Sequence, residues 1–347
     1  MKKILAILVV SRLITYALPF LFTQAPDPSF NRWDAPHYLY IAQYWYAKSG
    51  DEANFIVFPP LYPILLSLTS RIPLTSPILF SNFLFILGGL LFYKVVALYY
   101  KKNIAFWATI FLCIFPTSYF FSAPYTESLF LLLSAGVFYL IYKKMWFTSA
   151  ILASMAMLTR TIGLLLFIPI VYEVLQLKPK KYLLIFAIGT PFFIATCFYL
   201  LINYLVLGDP LAFGSILQNH WQKTFAFPWD SLIGSWKNAF IFPLTDYSLI
   251  VGVWEAIPAT FGILLIPTAF KYLKKSWALY YSAYILFITS TNFLLSTPRY
   301  LLLNIPIFVI LAFVFQKHKK LRLAWIFVSS ALLTYFAILF VSGQWAF

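Results

Sequence analysis

Charge is what this sequence lacks most. Only 10% of its 347 residues are Asp, Glu, Lys or Arg, against about 25% in soluble domains. A water-facing surface of ordinary size cannot be built from so few. Cysteine and histidine are also scarce, at two and three residues. Cys113 and Cys197 both sit within apolar runs and read as small core residues, not as a disulfide. No His/Cys cluster has zinc-site spacing, so no metal or other cofactor is expected. A glycine-rich phosphate loop is missing, and with it any sign of soluble nucleotide binding. Acids number ten against 25 bases, for a net charge of +15. The bases form short clusters between apolar runs, not a stripe on one surface, which argues against a nucleic-acid partner.

What is there is apolar and aromatic: 62% hydrophobic residues, with 38 Phe, 24 Tyr and 11 Trp. Several runs approach or exceed the roughly 20 residues that span a bilayer core, among them Ile78 to Tyr93 and Tyr182 to Leu207. The pattern predicts an all-α polytopic membrane protein, a single unit over 1–347. Spans are expected near 4–22, 76–99, 104–121, 125–142, 146–159, 161–176, 182–207, 248–270, 277–295, 300–316 and 323–343, eleven in all. Met1 to Phe20 has Lys2 and Lys3 ahead of an apolar run but no small-residue cleavage site, so it reads as an uncleaved first helix. Two stretches, 23–75 and 208–247, are too long and polar for turns. Asp34 to Ala47 has an amphipathic helical pattern and Pro60 to Leu68 is too short to span, so helices lying along or re-entering the membrane are expected there.

With the N-terminus on the cytoplasmic side, every inner turn is basic, as the positive-inside rule requires. Lys2/Lys3, Lys101/Lys102, Lys143/Lys144, Lys178/Lys180/Lys181, Lys271/Lys274/Lys275 and Lys317/Lys319/Lys320/Arg322 fall there, with Lys94 near an inner helix end. Asp27, Asp34, Asp51, Glu52, Glu127, Asp209, Asp230, Asp246 and Glu255 fall on the outer side, and Glu173 alone falls inside. Acids contribute little to orientation. Their asymmetry therefore suggests polar chemistry at the outer face, against the plainer reading that long loops simply contain ordinary polar residues.

A few residues stand out. Asp34 in RWDAPHYLYIA is either a base at the membrane boundary or a helix cap. Glu127 in SAPYTESLFLLL follows Thr126, a possible cap, and sits in a first helical turn, where the dipole favours an acid. An ionisable group at the end of an apolar helix more often faces a cavity or a partner. Arg160 in LTRTIGLLL and Arg299 in STPRYLLLNIP are the basic residues at these outer turns. Each is a candidate for contacting phosphate through its planar fork, for snorkelling, or for pairing with Glu127. Gln218, His220, Trp221, Gln222 and Lys223 form a polar and aromatic cluster on an expected interfacial helix, suited to sugar hydroxyls or to an ordinary interfacial belt.

Together, RWDAPHYLYIA, FPPLYPILL, SAPYTESLFLLL, LTRTIGLLL, QNHWQK and STPRYLLLNIP resemble the PIG-V family of mannosyltransferases, in the family's order and over about Arg32 to Pro306. The resemblance implies a GT-C-type bundle that takes a sugar from a polyprenyl-phosphate carrier at the outer or lumenal face. The implied donor is polyprenyl-phosphate mannose, with inversion, and the implied acceptor a lipid- or polymer-linked glycan. The membrane would be the plasma membrane of a prokaryote or the endoplasmic reticulum of a eukaryote, its lipids the immediate partners. The superfamily's first-loop acid maps onto Asp34. Where many members carry a second acid, this chain has Ala35 and Pro36, which argues against metal binding and leaves Asp34 as the single candidate in that motif. Under this reading Asp34 is the base and Glu127 orients an arginine or the acceptor. Arg32, Trp33, His37, Tyr125, Arg160, Gln218, His220, Trp221, Lys223, Arg299 and Tyr300 contact substrate. The rivals are a GT-C enzyme for another lipid-linked sugar, such as glucose or arabinose, and a transporter or flippase. A transporter would gather its ionisable groups near mid-membrane, often with repeated halves.

Overall fold

The computed structural model describes residues 1–22, 30–69, 76–179, 182–241, 243 and 245–347. Asp27, Arg71, Lys180 and Lys181, and parts of the 23–75 stretch, lie outside the described residues. Among the described residues the regular elements are all helices, and the one β-type pairing is an isolated antiparallel bridge between Phe225 and Thr291. In lipid, helices satisfy their own backbone hydrogen bonds.

The first helix, α1 (Lys2–Phe22), is followed by a polar stretch holding α2 (Ala35–Tyr44), a 3-10 segment Asp51–Val57 and α3 (Leu61–Thr69). Next come α4 (Pro77–Tyr99), α5 (Lys102–Ile114), α6 (Glu127–Tyr142), α7 (Trp146–Met157), α8 (Phe167–Leu175) and α9 (Tyr182–Leu207). The second polar stretch forms α10 (Ala212–Asn219) and α11 (Pro228–Ala239). The remainder is α12 (Trp254–Leu264), α13 (Ile266–Tyr272), α14 (Lys275–Thr289), α15 (Thr297–Leu303), α16 (Pro306–Gln316) and α17 (Lys319–Val341).

Helix positions follow the apolar runs, and the helices differ in length. Among the described residues four helical stretches are long and apolar enough to cross a membrane: Pro77–Tyr99, Tyr182–Leu207, Ser248–Tyr272 and Lys319–Val341. The pair α15 and α16 reaches that length only taken together, and is bent by 86°, the geometry of a broken span or a re-entrant loop. Proline explains two departures from expectation. Pro116 follows the end of α5 at Ile114, so α5 stops there and Ser118–Phe121 forms a separate 3-10 turn. Pro306 starts α16 afresh, which breaks the expected 300–316 span. The expected 277–295 span ends at Thr289, because residues 290–293 hydrogen-bond to the 222–226 segment instead.

The core is aromatic. Trp277, Tyr280, Tyr281 and Tyr284 of α14 are fully buried. Tyr281 and Tyr284 donate to the carbonyls of Gly262 (2.8 Å) and Tyr300 (2.9 Å), which offsets the cost of enclosing a phenol. Gly88 lets α4 approach α6 closely: a Cβ there would lie 3.0 Å from the Leu132 backbone nitrogen. Cys113 is buried, but Cys197 lies on the exposed side of α9, so only Cys113 is a core residue.

Candidate active site

Four ionisable side chains from distant parts of the chain meet in one network. Glu127 opens α6, and its carboxylate is wholly enclosed. Its Oε1 accepts from Arg299 Nε at 2.6 Å and from Arg160 Nη1 at 2.8 Å. The same Arg160 nitrogen donates to Thr126 Oγ1 at 2.9 Å. Arg299 is 5% exposed, and its Nη1 donates to Asp34 Oδ2 at 2.7 Å. Two cations and two carboxylates cancel, as such enclosure demands.

Asp34 and Glu127 both occupy helix starts, yet neither owes its place to capping. Asp34 stands at the N-cap of α2, but its side chain makes no cap hydrogen bond. Its carboxylate, 24% exposed, turns to Arg299. Thr126 is likewise uncapping and serves Arg160 instead. The backbone before Asp34 is bent to allow this: Phe30 and Trp33 have φ of 51° and 53°. Bulky residues rarely adopt that region, at a cost of order 1–3 kcal/mol each. Tyr125 secures the turn, accepting from the Asp34 amide (3.0 Å) and donating to the Arg32 carbonyl (2.7 Å).

Aromatic faces complete the arginine sites. The Arg299 guanidinium lies 4.7 Å from the Phe120 ring centroid and 4.5 Å from that of Tyr125. Arg160 lies 5.0 Å from the Tyr300 ring. Gly163 makes the Arg160 turn possible, since a Cβ there would fall 2.3 Å from the Ala156 carbonyl carbon. One donor is left over: Arg299 Nη2 is buried without a hydrogen-bond partner. A guanidinium N–H enclosed and unfilled is costly, and an anionic oxygen would satisfy it.

Next to Asp34 lies an aromatic cluster. The His37 ring is 4.2 Å from Phe55, 5.2 Å from Phe58 and 6.4 Å from Trp221. His37 Nδ1 and Trp221 Nε1 are both buried without partners. Burial pulls the His37 imidazole below its ordinary range; Asp34 opposes this and His220 reinforces it. His220 is exposed, with its ring 5.3 Å from Trp221.

The other expected contacts lie outside the network. Gln218 is exposed on α10. That helix ends at Asn219, so His220 through Lys223 do not share it. There the chain turns through Gln222 at φ 53° and ties to Asn292. Lys223 Nζ donates to the Phe293 carbonyl at 2.9 Å, beside a groove of about 360 Å³ lined by Phe225, Phe287 and Thr291. Burial pulls the Lys223 ammonium down to about 8, with Glu255 partly opposing. Arg32 reaches the Val341 carbonyl at 3.2 Å, and Trp33 packs against Trp345 at 5.1 Å.

Two residues beyond the expected set hold the site's frame. Glu255 of α12 is fully buried and accepts from the amides of Ser296 (2.6 Å) and Thr297 (2.8 Å), where α15 begins. Ser296 is left-handed at φ 64°, and Arg299 follows in the first turn. Arg12 of α1 is 4% exposed and donates to the carbonyls of Ser118 (2.6 Å) and Cys113 (3.2 Å). It pins the segment that carries Phe120 and Tyr125. The signal for both was an ionisable residue inside an apolar run.

No protein-family model and no curated protein sequence matches the chain. A solved structure it resembles is the oligosaccharyltransferase of Archaeoglobus fulgidus, determined with a tethered acceptor peptide. The TM-score is 0.47 and the identity 13%, over 98% of this chain and 55% of that one. The chain thus spans about half that protein's length.

Proposed function

We propose that this chain is a GT-C-type glycosyltransferase. It moves mannose from a polyprenyl-phosphate-mannose donor to a hydroxyl of a glycolipid or glycan at the outer membrane face, with Asp34 as general base. The observation that carries the reading is Arg299, which pairs with a partly exposed Asp34 and an enclosed Glu127 and keeps Nη2 unfilled. Ordered motifs resembling the PIG-V family support the choice of sugar.

The chemistry follows from charge. The acceptor oxygen attacks the anomeric carbon while its proton passes to Asp34, and the carbon–oxygen bond to phosphate breaks with its electron pair leaving on phosphate. The phosphate gains one negative charge as Asp34 loses one, so the net charge of the enclosed site stays constant. Arg299 Nη2 and the exposed part of Arg160 face the growing phosphate charge; one such donor is worth about 10²–10³ in rate. Asp34 contributes roughly 10²–10⁴ as a positioned base. In this reading phosphate competes for Arg299 and releases Asp34 to accept the proton. Glu127 keeps both arginines in place and touches no reacting atom.

The test is a donor panel. Purified protein in liposomes containing lipid extract receives polyprenyl phosphates carrying radiolabelled mannose, glucose or arabinose. Label entering a new product from the mannose donor alone supports the proposal. Transfer from another sugar would keep the reaction class and replace the donor, and movement of intact donor between leaflets without transfer would mean a transporter.

A further inference from the structure

The lysine-rich end of the bundle carries an independent site. There the starts of α1, α5 and α17 meet: Lys3 Nζ lies 5.2 Å from the Phe106 ring centroid, and the Arg322 guanidinium 4.1 Å from that of Trp107. Lys2, Lys3, Lys101, Lys102, Lys317, Lys319, Lys320 and Arg322 gather on these three helix ends, and none of the three has an acid in its first turn. Cations at a helix start oppose the dipole, and among the described residues no ion pair to an acid neutralises them. Neither α5 nor α17 has a side-chain cap at its start.

Two buried donors lie close together on α17 at this end. Arg322 Nε and Trp325 Nε1, one helical turn apart on α17, have no hydrogen-bond partner. Trp325 stacks on Phe261 at 6.0 Å and lies tilted against Phe315 at 5.8 Å. Arg322 and Trp325 thus present N–H groups beside an aromatic wall, under a rim of lysines. Positive-inside topology accounts for lysines in any inner turn, but not for enclosed donors lacking an acceptor.

We propose that this basic cluster binds the phosphate headgroup of an anionic phospholipid, its acyl chains lying against the α5 and α17 faces. Arg322 and Trp325 donate to phosphate oxygens, and Lys3, Lys102 and Lys319 supply the surrounding charge. A lipid is favoured over free phosphate because Leu321, Leu323, Phe327 and Val328, which neighbour Arg322 and Trp325 on α17, are exposed and apolar.

Native mass spectrometry of the full chain, released from micelles containing equal phosphatidylglycerol and phosphatidylcholine, tests this. The wild type should retain phosphatidylglycerol preferentially. One juxtamembrane cation is worth about fivefold in binding, so Lys319→Gln with Arg322→Gln should weaken retention roughly 25-fold. Trp325→Phe keeps the packing, removes one donor, and should weaken it severalfold. Lys143→Gln with Lys144→Gln removes equal charge from another basic turn and should leave retention unchanged. Equal loss in that control, no preference for phosphatidylglycerol, or displacement of the lipid by millimolar inorganic phosphate would overturn the proposal. Loss of monodispersity in the double variant leaves Trp325→Phe and the control to decide.

Discussion

Replacing Glu127 with Gln removes the charge that two arginines share while keeping the side chain's shape. Glu127 is fully enclosed and accepts both guanidinium groups on a single oxygen, at 2.6 and 2.8 Å. In the variant Arg299 keeps Asp34, Arg160 keeps only Thr126, and the cluster gains an uncompensated positive charge. Two unit charges about 4 Å apart interact by about 4 kcal/mol at an effective dielectric of about 20. Breaking one partner out of a buried pair costs about 3–5 kcal/mol in practice. Arg160 is 11% exposed, so part of its share is recovered by water. The expected loss is therefore about 3 kcal/mol in reversible unfolding from mixed micelles. Glu127→Gln combined with Arg160→Met restores neutrality and should cost less than the two single changes together, with a coupling of about 1–3 kcal/mol. A Glu127→Gln loss below about 1 kcal/mol, or additive single changes, would refute the account of Glu127 as the anchor of both arginines.

Other outcomes follow from the frame around the site. Glu255→Gln should lower transfer at least tenfold in the donor-panel assay while the protein stays folded, because the start of α15 loosens two residues before Arg299; unchanged transfer counts against that role. Arg12→Met leaves the carbonyls of Ser118 and Cys113 without donors, at roughly 1–3 kcal/mol each, and should lower the unfolding midpoint; a neutral result means water replaces the guanidinium. Lys223 loses its proton near pH 8 when folded and near 10.5 when unfolded. Between these values the unfolded chain binds more protons, so stability rises with pH. Below pH 8 both forms are charged and the burial penalty is fully present. Lys223→Met should flatten that rise, as measured by unfolding midpoints from pH 7 to 10; a slope that persists assigns it elsewhere.

Much of the helical layout was legible in the sequence because apolar run length and proline act locally. Residues 76–99, 182–207 and 323–343 match α4, α9 and α17 to within a few residues. The 86° break between α15 and α16 was not, although Asn304 and Pro306 mark it. The run 300–316 is apolar across both halves, and hydropathy carries no direction. Asp34, Glu127, Arg160 and Arg299 stood out as ions in an apolar setting, and the structure brings these four together. Pairing of Glu127 with either arginine was among the readings open in the sequence, and both pairs form. The Asp34–Arg299 contact was not readable, because Asp34 had a local capping role open to it. Glu255 and Arg12 attracted no special attention for a similar reason. Their partners are backbone groups 41 and 106 residues away, and backbone groups leave no trace in residue identity.

The role of Asp34 is tested most directly by Asp34→Asn in liposomes loaded with polyprenyl-phosphate mannose. The variant should fold and bind the donor as the wild type does, since Arg299 remains held by Glu127, yet single-turnover transfer should fall by roughly 10²–10⁴. Transfer at the wild-type rate with intact donor binding would contradict Asp34 as the base.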